Sequence, residues 1–314
     1  TASGATASGA GASASGAGAS APASGAAGSV FTASVTTGSV VSAFGGAACC
    51  TPLPGTSVLD TLGSLPRTVR DTRVVTTDAA TPATRPAASV AVAFCPAPPL
   101  LHPAVEGRAA AETTRLRGAC HDAVAAVLSV RPDVVVVVGG GAAAGERFGP
   151  GDAGDLRGFG VDVEVPFDGR PRSDGRRPPL PHLLAAWLLD EAGCTATRIG
   201  VGPADLGALL ATLPGPVGVL AMGDGSARRT VKAPGYLDPA AGPFDAAVAA
   251  ALAAGDAAAL AALDPAEGER LLASGVPTWR AVGAALADRA VSPRLRLDEA
   301  PFGVGYLVAD WWSR

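Results

Sequence analysis

The sequence predicts an α/β fold, a three-layer α/β/α sandwich around a largely parallel, mixed sheet. Three observations support it. A short apolar run at 89–94 is followed by an amphipathic segment at 106–130, and then by the valine run Val134–Val138. A strand, a helix and a second strand that is apolar at every position are typical of a βαβ unit, whose parallel strands are buried on both faces. The same alternation continues toward the end of the chain.

Each element follows from its own pattern. In 106–130 the apolar residues Leu116, Cys120 and Val127 recur at helical spacing. Asp264 is predicted to cap a helix that has Pro265 at its first position. After Val138 the pattern predicts strands at 161–166, 198–201, 217–222 and 303–308, helices at 181–192, 205–213, 244–253, 264–275 and 279–288, and a surface loop at 169–179.

The chain divides into two parts by composition. Residues 1–59 contain no charged side chain, and the first 29 are almost entirely Ala, Ser, Gly and Thr. Such a stretch cannot bury enough apolar surface to offset its ordering entropy, so we predict a disordered low-complexity tail or linker at 1–88. A start assigned too far upstream is the alternative. The globular domain is expected over 89–314, without internal repeats.

Composition excludes several classes of function. The formal net charge is −4, and among 24 Lys and Arg residues Lys232 is the only lysine. This balance argues against a nucleic-acid-binding groove. No segment has the roughly 18 consecutive apolar residues of a membrane-spanning helix. The five cysteines contain no Cys-x-x-Cys pair, which favours a reducing compartment, and we expect a cytoplasmic protein.

Loops that follow strands are candidate ligand-binding or catalytic sites, because open α/β sheets bind ligands at the carboxyl ends of their strands. Three such loops occur, at 95–99, 139–145 and 223–236. The last is the richest in polar side chains and could hold a carboxylate or a phosphate. Its candidate ligand-binding residues are Asp224, Ser226, Arg228, Arg229, Lys232 and Tyr236. The alternative is that Asp224 pairs with Arg228 or Arg229 only to shape the loop.

Other polar or aromatic features are weaker signals. The glycine cluster at 139–145 has neither the dinucleotide fingerprint nor a Walker lysine. The three histidines, His102, His121 and His182, form no local metal motif and are expected at the surface or at helix caps. Trp311 and Trp312 are expected to be exposed and to cover a sheet edge or meet a partner.

Six stretches in the expected order resemble the class III extradiol dioxygenase catalytic-subunit (LigB-like) superfamily, with likeness to its actinobacterial branch and to the related Memo-like proteins. They are CPAPPLLHPAV at 95–105, RPDVVVVVG at 131–139, MGDGSARR at 222–229, KAPGYLD at 232–238, FD at 244–245 and APFGVGY at 300–306. The resemblance implies a LigB-like fold over about 89–309. It also implies an oxidoreductase that holds Fe(II) with two His and one Glu, uses a further His as acid and base, and opens catechol rings with O2.

The family's functional positions can be carried over one at a time. Ala97 stands where the resemblance implies the first metal His, and Gly141 stands at the second. Ala227 occupies the position of the acid–base His, and Ala273 that of the metal Glu. Neither Ala nor Gly can bind a metal or carry a proton. The sequence therefore predicts no metal ligand, no catalytic residue at these positions and no cofactor.

Three hypotheses follow. The first is a degenerate LigB-like protein that binds a small anionic molecule without a metal. The second is an active non-haem Fe(II) extradiol dioxygenase with an atypical ligand set that involves His102 and Glu106. The third is a homo-oligomer or partner subunit, for which Trp311 and Trp312 are the hint.

Overall fold

The computed structural model describes residues 89–107 and 111–313, and the predictions for residues 1–88 lie outside this part of the chain. The described residues form an α/β fold with a mixed seven-stranded sheet and a small two-stranded sheet. Their strands are β1 (Val90–Cys95), β2 (Val134–Val138), β3 (Arg147–Phe148), β4 (Ala153–Asp155), β5 (Glu164–Pro166), β6 (Thr197–Val201), β7 (Val217–Met222), β8 (Val291–Glu299) and β9 (Tyr306–Ser313). Their helices are α1 (Pro103–Glu106), α2 (Ala111–Ser129), α3 (Leu180–Glu191), α4 (Leu206–Thr212), α5 (Ala241–Ala254), α6 (Ala257–Ala261), α7 (Pro265–Arg270) and α8 (Val276–Ala285).

The large sheet has the order β3-β6-β2-β7-β1-β9-β8. Strands β6, β2, β7 and β1 are parallel neighbours, whereas β3, β9 and β8 run antiparallel to the strands beside them. The small sheet pairs β4 with β5 in antiparallel fashion. A parallel centre with antiparallel edges agrees with the mixed sheet that the sequence predicts.

Side chains of the central strands alternate between two hydrophobic clusters. In β1, Val92 and Phe94 belong to one cluster, which includes α5 and α8, while Ala93 and Cys95 belong to the other, which includes α2 and α3. Both sets are almost fully buried. Strands β1, β2 and β7 are therefore apolar at every position because both faces of the sheet are covered.

The carboxyl-terminal hairpin differs from the sequence prediction. The last strand is β9, which begins at Tyr306 rather than at Gly303, and it lies inside the sheet between β1 and β8. Trp311 is 1% exposed, packs edge-on against Phe94 at 4.9 Å and donates its Nε1–H to the carbonyl of Leu252 at 2.8 Å. The expectation of an exposed Trp311 is wrong, because its side chain packs in the hydrophobic cluster that includes α5 and α8. Trp312 is half-buried.

Most remaining elements agree with the sequence prediction to within a few residues at their ends. Only Glu164–Pro166 of the strand predicted at 161–166 is extended, and it belongs to the small sheet. Strands β3, β4 and β8 and helices α1 and α6 were not predicted. Among the described residues, no helix has both the length and the hydrophobicity needed to span a membrane.

Candidate functional site

The carboxyl ends of β1, β2 and β7 meet at one edge of the sheet, because these three strands are parallel neighbours. The chain packs closely there. A Cβ on Gly223, directly after β7, would lie 2.3 Å from the Cα of Gly275, directly before α8. Since no side chain fits between them, the loop after β7 lies against the connection between α7 and α8. We call residues 224–238 the β7 loop.

Asp224 lies at the start of the β7 loop and reaches across to the end of β1. Its Oδ1 accepts a hydrogen bond from the backbone N–H of Ala97 at 2.7 Å. The Oγ of Ser274 accepts the N–H of Asp224 at 3.1 Å. Burial raises the pKa of the Asp224 carboxyl to about 6, although the Ala97 N–H favours the ionised form. The side chain keeps partial access to solvent, so this carboxyl can change its protonation state near neutral pH.

Groups with little tendency to ionise surround Asp224. Burial and then the charge of Asp224 raise the pKa of the Tyr306 phenol. Burial and the neighbouring Cys95 thiol raise the pKa of Cys120 well above its ordinary value, with a smaller contribution from Asp224. The phenol and the Cys120 thiol are therefore neutral at pH 7. Asp224 is the group among them that titrates in the physiological range.

Ser226 holds the β7 loop in place. It is fully buried, and its Oγ donates to the carbonyl of Leu271 at 2.8 Å while accepting the N–H of Arg228 at 3.1 Å. Its own N–H donates to Oδ1 of Asp245 at 2.8 Å. The structure thus places this predicted site residue inside the protein, where it cannot contact a ligand.

Arg229 pairs with Asp245 rather than with Asp224. Its Nη1 lies 2.8 Å from Oδ2 of Asp245, whose side chain is fully buried. The backbone encloses that carboxylate, because a Cβ on Gly305 would lie 2.2 Å from Oδ2 and one on Gly225 would lie 2.8 Å from Oδ1. Burial raises the pKa of Asp245, against the opposing effects of the Ser226 N–H and Arg229. Arg229 therefore neutralises a buried carboxylate.

The β7 loop closes on itself and carries the remaining candidates. The N–H of Gly235 donates to the carbonyl of Ala227 at 2.9 Å, and the N–H of Asp238 donates to the carbonyl of Arg228 at 3.0 Å. Tyr236 has a φ of +60° and is 65% exposed, and Lys232 is also exposed.

Arg228 and Lys232 are cationic side chains of this loop that form no direct ion pair within the described part of the chain. Among the described residues no carboxylate lies within ion-pair distance of either, and the buried Nε of Arg228 has no hydrogen-bond partner. The nearby carboxylate of Asp238 accepts the Ala240 N–H at 2.9 Å and pairs with Arg270, and both interactions lower its pKa, with a smaller contribution from the charge of Arg228. Two cationic groups on one closed loop can hold an anionic ligand.

Three of the four positions carried over from the LigB-like resemblance lie around Asp224. Ala97 donates its N–H to the carboxylate, and Ala273 directly precedes Ser274. Ala227 donates its N–H to the carbonyl of Leu271 at 3.1 Å. Gly141 lies after β2 with a φ of +90°, and a Cβ there would lie 2.9 Å from the Cβ of Pro179. The positions thus border the carboxyl edge, and their side chains offer no donor atoms.

Fe(II), the metal that the resemblance implies, does not fit the residues present. Within 89–107 and 111–313 there is no group of three or more His, Cys, Asp and Glu side chains placed to hold a metal ion. The carboxylate of Glu106 pairs with Arg117 at 2.7 Å, and Nδ1 of His102 accepts the Ala104 N–H at 3.2 Å to cap α1. The side chains of His102 and Glu106 thus form other contacts in the described residues.

The other two histidines are also engaged elsewhere. His182 is fully buried, with its Nε2 3.0 Å from the carbonyl oxygen of Val201. The expectation of a surface or capping role is wrong for His182, because it lies on the apolar side of α3. His121 is half-buried, and its ring packs edge-on against Trp187 at 5.8 Å.

Sequence reasoning missed four features of this edge. Asp245, Tyr306 and Ser274 were not named as site residues, and neither was an apolar cavity beside Ser274. One signal was present for Asp245, since a carboxylate directly after Phe244 interrupts the apolar face of a helix. The contacts of Tyr306 and Ser274 join segments that are distant in the sequence, so no local pattern predicts them.

Comparison with models of known protein families finds no match, and no curated protein matches the chain either.

Proposed function

We propose that this chain is a LigB-like protein with a degenerate iron site, and that it binds a small anionic molecule at the β7 loop without a metal. In this proposal the fold is a three-layer α/β/α sandwich. The division of the core into two clusters, with α2 and α3 in one and α5 and α8 in the other, supports that architecture. Ala97, Ala227 and Ala273 lie around Asp224. Their proximity supports the LigB-like assignment, because the positions that hold metal ligands and the acid–base His in that family must lie together in space.

The observation that carries the proposal is that Arg228 and Lys232 form no direct ion pair among the described residues. Most arginines near this edge have carboxylate partners, since Arg229 pairs with Asp245 and Arg270 with Asp238. The buried Nε of Arg228 has no hydrogen-bond partner in the described residues, and burial of such a donor is costly. A carboxylate or phosphate can bind a guanidinium with two parallel hydrogen bonds.

Asp224 gives the site a second property. Its carboxyl ionises near pH 6 and lies at the carboxyl edge of the sheet. A neutral Asp224 donates a hydrogen bond, whereas an ionised one repels an anion. We therefore expect anion binding to be stronger below pH 6 than above it.

The experiment is calorimetric titration of the full chain with benzoate and with inorganic phosphate. The double variant Arg228→Met, Lys232→Met is expected to weaken binding of the preferred anion by about tenfold or more. The matched control, Arg147→Met with Arg170→Met, removes the same charge from two exposed sites and is expected to bind like the wild type. If neither anion binds the wild type, or if both double variants lose affinity equally, the proposal fails.

Ring cleavage by an iron-dependent extradiol dioxygenase is the alternative. It requires a ligand set that His102 and Glu106 do not form in the described residues, because each has another partner. Consumption of catechol by the full chain with Fe(II) and O2 would favour this alternative over anion binding. For a homo-oligomer or partner subunit, the sequence hint was the pair Trp311 and Trp312, and Trp311 is buried within the chain.

A further inference from the structure

A cavity of about 850 Å³ lies beside the candidate site, between α7, α8 and the turn after β6. Its walls are largely apolar and include Pro203, Pro265, Leu272, Val276 and Ala281. We call it the α7–α8 cavity. Its volume is within the range of sites that enclose small organic molecules, about 300–1,000 Å³. It is open to solvent, since Glu269, Leu272 and Pro277 of its wall are exposed.

Leu272 forms part of the wall in a strained conformation. It follows the end of α7 with a φ of +55°, where helices ordinarily have glycine. The N–H of Leu272 donates to the Glu269 carbonyl and that of Ala273 to the Gly268 carbonyl, so the helix end fixes this conformation. The leucine side chain nevertheless remains 46% exposed. The helix end accounts for the backbone conformation of Leu272, and its exposed side chain leaves apolar surface that a ligand in the cavity can cover.

Arg280 places a positive charge in the apolar wall. It lies on α8 and is half-buried, and its Nη1 donates to the carbonyl of Leu263. Within the described part of the chain, no carboxylate forms an ion pair with it. The other charged residue of the wall, Glu269, is exposed to solvent, so its charge is more strongly screened.

We propose that the α7–α8 cavity binds an apolar molecule that carries one carboxylate, with the guanidinium of Arg280 as the partner of that carboxylate. The apolar part of the molecule lies against Leu272, Val276 and Ala281. The site is separate from the anion site of the β7 loop, because neither Arg228 nor Lys232 lines this cavity. Leu272 is the nearest link between them, since a Cβ on Gly235 would lie 2.6 Å from its Cδ1.

The test uses decanoate and its uncharged analogue decanol as probes of the full chain, with affinity measured by calorimetry. Both are expected to bind with one molecule per chain, and decanoate more tightly. Arg280→Gln is expected to weaken decanoate binding by about tenfold and to leave decanol binding unchanged. Arg280→Lys is expected to retain most of the decanoate affinity. Equal effects of Arg280→Gln on both probes would overturn the assigned role of Arg280.

Two further variants test the cavity itself. Ala281→Phe fills it and is expected to abolish binding of both probes, whereas Ala258→Phe adds the same ring to an exposed position on α6 and is expected to have no effect. Leu272→Gly relieves the strained φ while removing part of the wall. We expect it to leave the melting temperature unchanged or higher and to weaken decanol binding about fivefold. Undiminished binding in Ala281→Phe, or no binding to the wild type, would overturn the proposal.

The variants distinguish ligand binding in the α7–α8 cavity from anion binding at the β7 loop. The variants Arg228→Met and Lys232→Met are expected to leave decanol binding intact, and Ala281→Phe is expected to leave benzoate or phosphate binding intact. If the Arg228→Met and Lys232→Met variants lose decanoate binding instead, decanoate binds at the β7 loop rather than in the cavity, and the cavity proposal is wrong.

Discussion

The guanidinium of Arg229 lies 2.8 Å from the fully buried carboxylate of Asp245, so one arginine of the β7 loop stabilises the fold. Removing one partner of a buried ion pair leaves the other uncompensated, at a cost of about 3–5 kcal/mol. We expect Arg229→Met to lower the free energy of unfolding by that amount in a urea titration. Lys232→Met, at an exposed position, should change it by less than about 0.5 kcal/mol. A fully stable Arg229→Met protein would contradict the structural role of this arginine.

Asp224 is expected to make stability fall as the pH rises. Its carboxyl has a pKa of about 6 in the folded chain and an ordinary value of 3.8, so the unfolded chain releases the proton first. The stabilisation is complete below pH 3.8 and is lost as the pH rises through 6, by at most about 3 kcal/mol. Asp224→Asn removes this dependence. The test is a series of urea titrations between pH 4 and 7, in which equal slopes for variant and wild type would refute the assignment.

His182 is expected to have the opposite effect to Asp224, because it makes stability fall as the pH decreases over nearly the same range. Burial lowers the pKa of its imidazole to about 4 from 6.5, so the unfolded chain takes up a proton first as the pH falls. The stabilisation is complete above pH 6.5 and is lost as the pH falls through 4, by about 3 kcal/mol. His182→Phe, which keeps a ring beside Phe148, should flatten this acid limb. Because the two effects partly cancel in the wild type, each variant should reveal the slope of the other residue.

Trp311 anchors β9 to α5, and its replacement should be costly. Trp311→Phe removes the hydrogen bond from Nε1 to the Leu252 carbonyl and leaves a void in a fully buried position. We expect a loss of about 2–4 kcal/mol in the free energy of unfolding. Trp312→Phe, at a half-buried position, serves as the matched control with a smaller loss. Equal losses for the two variants would indicate that Trp311 is not the anchor.

The sequence predicts the centre of the sheet well and its antiparallel edge poorly. Strands β2 and β7 were predicted to the residue, because strands covered on both faces are apolar at every position. Strand β8 has a single neighbour, and its sequence contains Pro293, Arg294 and Arg296. Edge strands tolerate proline and charge, so such a segment carries no apolar pattern to detect.

The candidate site was predicted in location but not in the role of each side chain. The loop after β7 does lie at the carboxyl edge, as the position of Asp224 after an apolar strand indicates. That Arg229 pairs with Asp245, and that Ser226 is buried, depends on contacts between segments far apart in the sequence. The α7–α8 cavity likewise depends on how two helices pack, which no local periodicity specifies.

The central claim is that this chain binds its ligand without iron, and the most direct test is an iron titration. The full chain would be purified anaerobically, incubated with excess Fe(II), separated from unbound metal and assayed for iron by mass spectrometry. Because Ala97, Gly141, Ala227 and Ala273 offer no donors and the described residues contain no metal-binding cluster, we expect iron well below one equivalent per chain. One tightly bound equivalent would contradict the account and favour the ring-cleaving alternative.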